Sequence, residues 1–269
     1  SGLATRIMYT LSTSGVVVDL GAGTASDGLG GTDTFTYINA VRGSNYNDTL
    51  TGSDGSQSES FRGGRGDDVI DGGAGSADEV VYWSSSTGVV IDLSTGPTVS
   101  FSDGMGGTDT ITNIEYVSGS RYGDVLTGDG WANRLRGNGG DDTLRGGAGD
   151  DILVGGSGND TLDGGSGTDT VDFSYASLSH LAQASVTVNL LTGTASGDDI
   201  GSDRLSNIEN IIGSNGDDIL TGSSGNNTLD GGAGADTLVG GAGADTLVGG
   251  TGDDTYSVDS TSDTVTESS

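Results

Sequence analysis

Residues 137–172 read GNGGDDTLR, GGAGDDILV, GGSGNDTLD and GGSGTDTVD, four nonapeptides in unbroken register. A fixed period of this kind outranks local propensity, because each unit must then be one small module that stacks on its neighbours. Upstream the register continues through GSRYGDVLT (119–127) and GDGWANRLR (128–136), which makes six units. A second array of five occupies 213–257: GSNGDDILT, GSSGNNTLD, GGAGADTLV, GGAGADTLV and GGTGDDTYS. A third, imperfect array starts as GSNYNDTLT (43–51) and stretches to eleven residues at 52–62. It returns as GGRGDDVID (63–71) and decays through GGAGSADEVV (72–81).

Within a unit, Gly at the first, second and fourth positions allows φ > 0, so the first six residues can close a tight turn with carbonyls directed inward. The sixth residue, usually Asp, adds a short carboxylate. The last three alternate, with the eighth apolar, which predicts a very short strand with one buried face. The eighth positions form a ladder of Leu126, Leu135, Leu144, Leu153, Leu162 and Val171 in one array, and of Leu220, Leu229, Leu238, Leu247 and Tyr256 in the other.

Composition narrows the function. The 269 residues include 53 Gly, 34 Asp, 5 Glu and 9 Arg, with no Lys and no Cys, for a net charge of −30. Nucleic acid and anionic membranes need clustered cationic side chains, so neither is an expected partner. Absence of Cys excludes disulfides, thiolate zinc sites and a Cys nucleophile, and His180 alone cannot build a His-rich metal site. No apolar stretch approaches the length of a membrane span. The expected partner is a cation. The excess of Asp over Glu agrees, since a turn that chelates at short reach has no room for another methylene.

The pattern G-G-x-G-x-D-x-U-x, with U large and apolar, resembles the RTX, or hemolysin-type, calcium-binding repeat. That resemblance implies an all-β fold, a parallel β-roll or β-solenoid in which two nonapeptides complete a coil and calcium sits between turns stacked on the same side. Ligands would then lie eighteen residues apart. Asp142 would pair with both Asp124 and Asp160, Asp151 with Asp169, and Asp236 with both Asp218 and Asp254. Asn133 and Asn227 would face Asp151 and Asp245 as weaker, uncharged partners. In the imperfect array Asp48 would face Asp68, and Glu59 would face Asp78 if the insertions loop outward. These nine pairs define the expected Ca2+ sites, and nine divalent ions would bring the charge from −30 to −12.

Between the arrays lie three cassettes. Residues 15–20 (GVVVDL), 88–93 (GVVIDL) and 185–190 (SVTVNL) predict longer strands, and each leads to 31–41, 107–117 or 201–211. Val41, Val117 and Ile211 stand nine residues before Leu50, Leu126 and Leu220, so the lattice already starts inside each cassette. The resulting organisation is a cassette at 1–42, the imperfect array at 43–81, a cassette at 82–118, six units at 119–172, a cassette at 173–212, five units at 213–257 and a truncated tail at 258–269. Tyr9, Tyr82 and Tyr175 are expected to pack at the junctions. Asp33, Asp109, Asp203, Glu115 and Glu209 are read first as turn caps and solvated carboxylates, with a metal role as the second reading.

Other motifs carry less. Arg65-Gly66-Asp67 spells an integrin-type tripeptide but lies inside a repeat turn, as do the sequons at Asn47, Asn159 and Asn226. His180 is expected to be a surface or packed histidine, and Trp83 and Trp131 to pack at junctions. Carboxylates that recur with the repeat indicate ligation, whereas a glycosidase needs one pair in two different environments. The expected function is therefore that of a calcium-binding structural segment of a secreted or cell-surface bacterial protein, adhesin-like or surface-layer, that folds on calcium outside the cell and has no enzyme activity. The alternative is the calcium-dependent folding and secretion module of an exported protease, lipase or epimerase. Residues 7–20 match 80–93 at a constant offset, yet only the second is preceded by a Gly-rich turn. Both ends are thus expected to be continued by further repeats of the same polypeptide or by other copies of the chain docked head to tail.

Overall fold

The computed structural model describes residues 5–55, 57–175 and 184–268; His180 lies outside them. The chain divides into two compact units, 1–129 and 130–269. Among the described residues there is no α-helix, only a short 3-10 turn at Leu93–Thr95, and no helix long and apolar enough to cross a membrane.

In the second unit the strands Arg134–Gly139, Ile152–Ser157, Thr170–Asp172, Asn210–Ile212, Thr228–Ala233, Thr246–Thr251 and Thr264–Ser268 form one parallel ladder. The other face carries Thr143–Ala148, Thr161–Ser166 and Gly201–Ser206, parallel to each other. It also carries Val186–Asn189, Ile219–Thr221, Thr237–Val239 and Thr255–Ser257. Consecutive nonapeptides therefore alternate between two faces, and Leu135 stacks on Leu153 while Leu144 stacks on Leu162. Two units make one coil of a parallel β-roll, as expected. The eighth-position residues are the core: Leu135, Leu144, Leu153, Leu162, Val171, Leu220, Leu229, Leu238 and Leu247 are all fully buried.

Several strands are six residues long where three were predicted. Their ladder runs on into the next turn, pairing Gly147 with Gly165 and Ala148 with Ser166. Backbone without Cβ atoms allows neighbouring coils to keep hydrogen-bonding where side chains would hold them apart.

The first unit is built the same way with less regular spacing. One ladder joins Arg6–Met8, Ala40–Arg42, Ser60–Arg62, Glu79–Val81 and Tyr116–Ser118, and its core is Val41, Phe61, Val80 and Val117. The facing ladder joins Val17–Asp19, Thr49–Thr51, Val69–Asp71 and Thr108–Thr112 through Val18, Leu50, Ile70 and Ile111.

The cassettes depart from the all-parallel plan. Each makes an antiparallel excursion: Thr24–Ser26 against Thr32–Thr34, Thr98–Ser102 against Thr108–Thr112, and Thr194–Gly197 against Gly201–Ser206. The strands formed by GVVVDL, GVVIDL and SVTVNL are not the longer ones expected but span only three or four residues, because the chain turns back immediately. In the second and third cassettes the returning strand rejoins the parallel ladder, beside Val69–Asp71 and Thr161–Ser166, whereas Thr32–Thr34 of the first forms the edge of its sheet.

The lattice also runs one unit further than its signature. Residues 258–266 lack the Gly-rich turn, yet Thr264–Ser268 pairs with Thr246–Thr251 and places Val265 beside Leu247, eighteen residues on. Tyr9 and Tyr82 are buried at the junctions, but Tyr175 is not their counterpart. The amides of Tyr9, Tyr82 and Phe173 donate to Arg42, Ser118 and Ile212 carbonyls, each at 2.8 Å, so Phe173 fills the third position. Tyr175 instead lies at the surface under the Arg136 guanidinium, 4.0 Å from its ring centroid. The tryptophans do not pack inside either: Trp83 is 40% exposed beneath Arg121 and Trp131 is 77% exposed.

Since Leu153 is wholly enclosed, Leu153→Ala should lower stability in saturating calcium by about 2–5 kcal/mol. Ile219→Ala, at a half-exposed seventh position, should cost no more than about 0.5 kcal/mol. Denaturant midpoints of the two variants measure both.

Candidate metal centre

One unit shows how the turn is made. In 146–151, Gly147 and Gly149 have φ of 108° and 107°, which only glycine adopts without strain. Gly146 does not need positive φ, contrary to the expectation for the first position. Its constraint is space: a Cβ there would collide with Asp151 Oδ2 and with the carbonyl oxygen of Gly164, one coil further on. The same cradle, with a carboxylate oxygen on one side and a carbonyl of the next coil on the other, recurs at Gly213 with Asp218 and Gly231, and at Gly231 with Asp236 and Gly249.

The sixth-position carboxylates are joined in a row by one repeated bond. The amide of Asp142 donates to Asp160 Oδ1 at 2.8 Å, Asp151 to Asp169 at 2.9 Å, Asp218 to Asp236 at 2.8 Å and Asp236 to Asp254 at 2.8 Å. Asn133 and Asn227 donate in the same way to Asp151 and Asp245. In the imperfect array Asp48 donates to Asp68 at 2.9 Å and Glu59 to Asp78 at 3.0 Å, so both insertions are accommodated outside the stack.

The row continues where repeat signatures end. Asp68 donates to Asp109 Oδ1 and Asp78 to Glu115 Oε2, both at 3.1 Å. Asp160 donates to Asp203 Oδ1 at 2.9 Å, and Asp169 to Glu209 Oε2 at 2.8 Å. Asp109 and Asp203 are therefore buried members of the ladder and not solvated caps, whereas Asp33 is exposed. Asp263 takes the next position after Asp245, at 3.1 Å.

Each stacked carboxylate uses one oxygen for this bond. The other oxygen, Oδ2, is buried without a hydrogen-bond donor in Asp68, Asp78, Asp160, Asp169, Asp203, Asp236, Asp245 and Asp254. A buried acceptor left unmet is costly, and an anionic one more so. Burial raises Asp68 to about 8, with Asp109 and Asp48 adding repulsion, Asp78 and Asp203 to about 7, and Asp160 and Asp236 to about 6. The donor set that these oxygens offer is all oxygen, from short carboxylates and nearby carbonyls. Such a set suits a hard divalent cation of flexible coordination. Among the described residues no three acidic or His side chains converge on one point, so main-chain carbonyls would have to complete any shell.

Three carboxylates are engaged differently. Asp48, Asp124 and Asp218 open their arrays in turns that begin Gly-Ser. There the serine amide donates to Oδ2 at 2.6–2.7 Å and the serine hydroxyl to Oδ1 at 2.7–2.8 Å. Oδ1 also receives the amide of Val16, Val89 or Val186, at the start of each cassette strand. These side chains tie cassette to array with protein donors alone. Asn227 likewise donates through Nδ2 to the carbonyl of Glu209 at 2.7 Å.

A second ladder escaped the sequence reading. The fifth-position side chains of Asp141, Asp150, Asp217 and Asn226 accept the amides of Asn159, Thr168, Ala235 and Ala244, eighteen residues on, at 2.8–2.9 Å. Asn47 and Asn159 serve in the same row, so all three sequon asparagines are engaged within the roll. The recurrence of Asp or Asn at position five was the available signal.

A model of the RTX calcium-binding nonapeptide repeat, built from four copies, matches residues 27–56, 55–76, 118–153, 136–171, 206–238 and 230–265. These segments together cover more than half of the chain. The chain belongs to the RTX calcium-binding repeat family. Calcium is thus the ion for which this RTX roll is built, and the buried, unmet Asp oxygens of its turns fit it. No curated protein matches the chain.

The raised acids set a pH dependence. A carboxylate whose pKa is higher folded than unfolded favours the fold while protonated, so its contribution is complete below about pH 4 and lost as pH rises through the folded value. For protein stripped of calcium by dialysis, circular dichroism should show β-structure growing as pH falls from 8 towards 5. Calcium affinity should weaken over the same interval, because the ion must displace protons. A stripped chain whose β-structure is insensitive to pH between 5 and 8 would contradict this.

Proposed function

We propose that the chain is a structural segment of a secreted or cell-surface protein, whose roll forms when calcium occupies the turns of its repeat arrays. The ligands assigned to it are Asp68, Asp78, Asp142, Asp151, Asp160, Asp169, Asp236, Asp245 and Asp254, with carbonyls of the stacked turns. Asp48, Asp124, Asp218 and Asn227 act chiefly as the protein-bonded first members of each row. The observation that carries this reading is the row of buried carboxylates held by one oxygen with the other unmet. With 9 Arg and no Lys against 39 acids, the sequence has too few cations to neutralise its acidic turns. Ion binding and folding are then one event.

That coupling also supports an extracellular role. Extracellular calcium modules bind at about 10⁻⁴–10⁻³ M, weak enough to leave the chain unfolded and exportable inside a cell and folded outside it. No constellation for catalysis accompanies the arrays in the sequence, which supports a structural task.

In chelator at neutral pH the far-ultraviolet spectrum should be that of coil, and millimolar calcium should restore the β signal. Magnesium should substitute poorly, as it demands a rigid octahedral shell and gives up water reluctantly. Titration calorimetry should place the dissociation constants in the submillimolar range; values below about 10⁻⁷ M, the tight end of intracellular sensors, or a fully folded chain in chelator at pH 7.5, would refute the reading. Asp236 stacks with both Asp218 and Asp254, whereas Asp254 has one neighbour in the row. Asp236→Ala should therefore reduce bound calcium more than Asp254→Ala.

A further inference from the structure

We propose that the third cassette holds a divalent-cation site of its own, formed by Asp203 with Asp160, at the place where the other two cassettes put a tyrosine hydroxyl. The inference rests on the calcium reading of the repeat turns and extends it to a loop that has no nonapeptide signature.

The three cassettes correspond at two places. Asp33, Asp109 and Asp203 occupy the same place in the antiparallel excursion, opposite Ala25, Phe101 and Ala195. Tyr9, Tyr82 and Phe173 occupy one place at the junction, by the amide bonds given above. In the first cassette the Tyr9 hydroxyl donates to Asp33 Oδ2 at 3.1 Å, and in the second the Tyr82 hydroxyl donates to Asp109 Oδ2 at 3.0 Å. Phe173 has no hydroxyl to give. Asp203 is 3% exposed, and its Oδ2 is buried with no hydrogen-bond partner.

Asp160, in the last turn but one of its array, is in the same condition. It is fully buried, its Oδ1 is taken by the Asp142 amide, and its Oδ2 has no partner. Its own amide holds Asp203 Oδ1 at 2.9 Å, the bond that joins successive carboxylates within an array. Gly201 stacks on Gly158 as Gly158 stacks on Gly140: in each case a Cβ would strike the carbonyl oxygen below. The cassette thus reproduces the close approach of the turns and the carboxylate step, and Phe173 omits the one group that would satisfy the second oxygen. Two buried carboxylates on successive coils with one unmet oxygen each suit a hard divalent cation such as calcium and reject an anion.

The test counts calcium bound to the full chain by equilibrium dialysis at saturating calcium, with circular dichroism to verify the fold. Asp203→Asn keeps the acceptor for the Asp160 amide and removes the charge; Phe173→Tyr supplies the hydroxyl that the other cassettes have. Each should lower the count by one ion, with the remaining ions and the β spectrum retained. Wild-type counts in both variants would overturn the cassette site while leaving the repeat sites standing. A wild-type chain that binds no calcium would overturn both readings together.

Discussion

A single hydrogen bond, from the amide of one sixth-position residue to the carboxylate of its counterpart one coil on, organises this protein. It brings like charges into register in a buried row, which no arrangement of the sparse arginines could neutralise. Everything else in the turn follows from making that row possible. The first glycine leaves room for the carboxylate, the second and fourth bend the backbone around it, and the leucine ladder fixes the distance between coils. A buried row of like charges favours whatever positive species can reach it, whether protons or calcium.

The cassettes show that the row matters more than the motif. Asp109, Glu115, Asp203 and Glu209 keep their place although the intervening chain grows from eighteen residues to about forty, because the extra length is paired off as an antiparallel excursion beside the ladder. The arrays start, in turn, with a serine amide meeting the Oδ2 that is left without a donor in later members such as Asp160 and Asp236. Each of these rows thus begins on a protein-bonded step, and the cassette strands are attached at that step.

Much of this was legible in the sequence, because the constraint is periodic. The leucine ladder follows from the nine-residue period, whereas the eighteen-residue stacking and the alternation of faces were implied by the resemblance to the RTX repeat. The pairing of Asp48 with Asp68 survived irregular spacing for the same reason. What could not be read depends on contacts between coils. Gly146 looks like a turn glycine, but it is needed for clearance from Gly164, a residue of another coil. Residues 258–266 lost their glycines yet keep Asp263 and Val265, the two positions that touch the coil below. Phe173 was passed over for Tyr175 because residue type was matched without the main-chain bond that fixes the place.

Alternation between two faces has a consequence for how such a chain can change length. Parity is conserved: losing or gaining eighteen residues returns every following strand to its own side, whereas nine residues would transfer the whole downstream segment to the opposite side. The array of Leu135 to Val171 enters its cassette with Asp160 on one side and Asp169 on the other, and these meet Asp203 and Glu209 respectively. The last turn of the array meets the glutamate and the last but one the aspartate whatever the number of units, so a single-unit deletion would leave these two steps intact and move only the side on which the downstream segment lies. Arrays of this build are therefore free to drift in whole coils without carrying any following cassette strand to the opposite side.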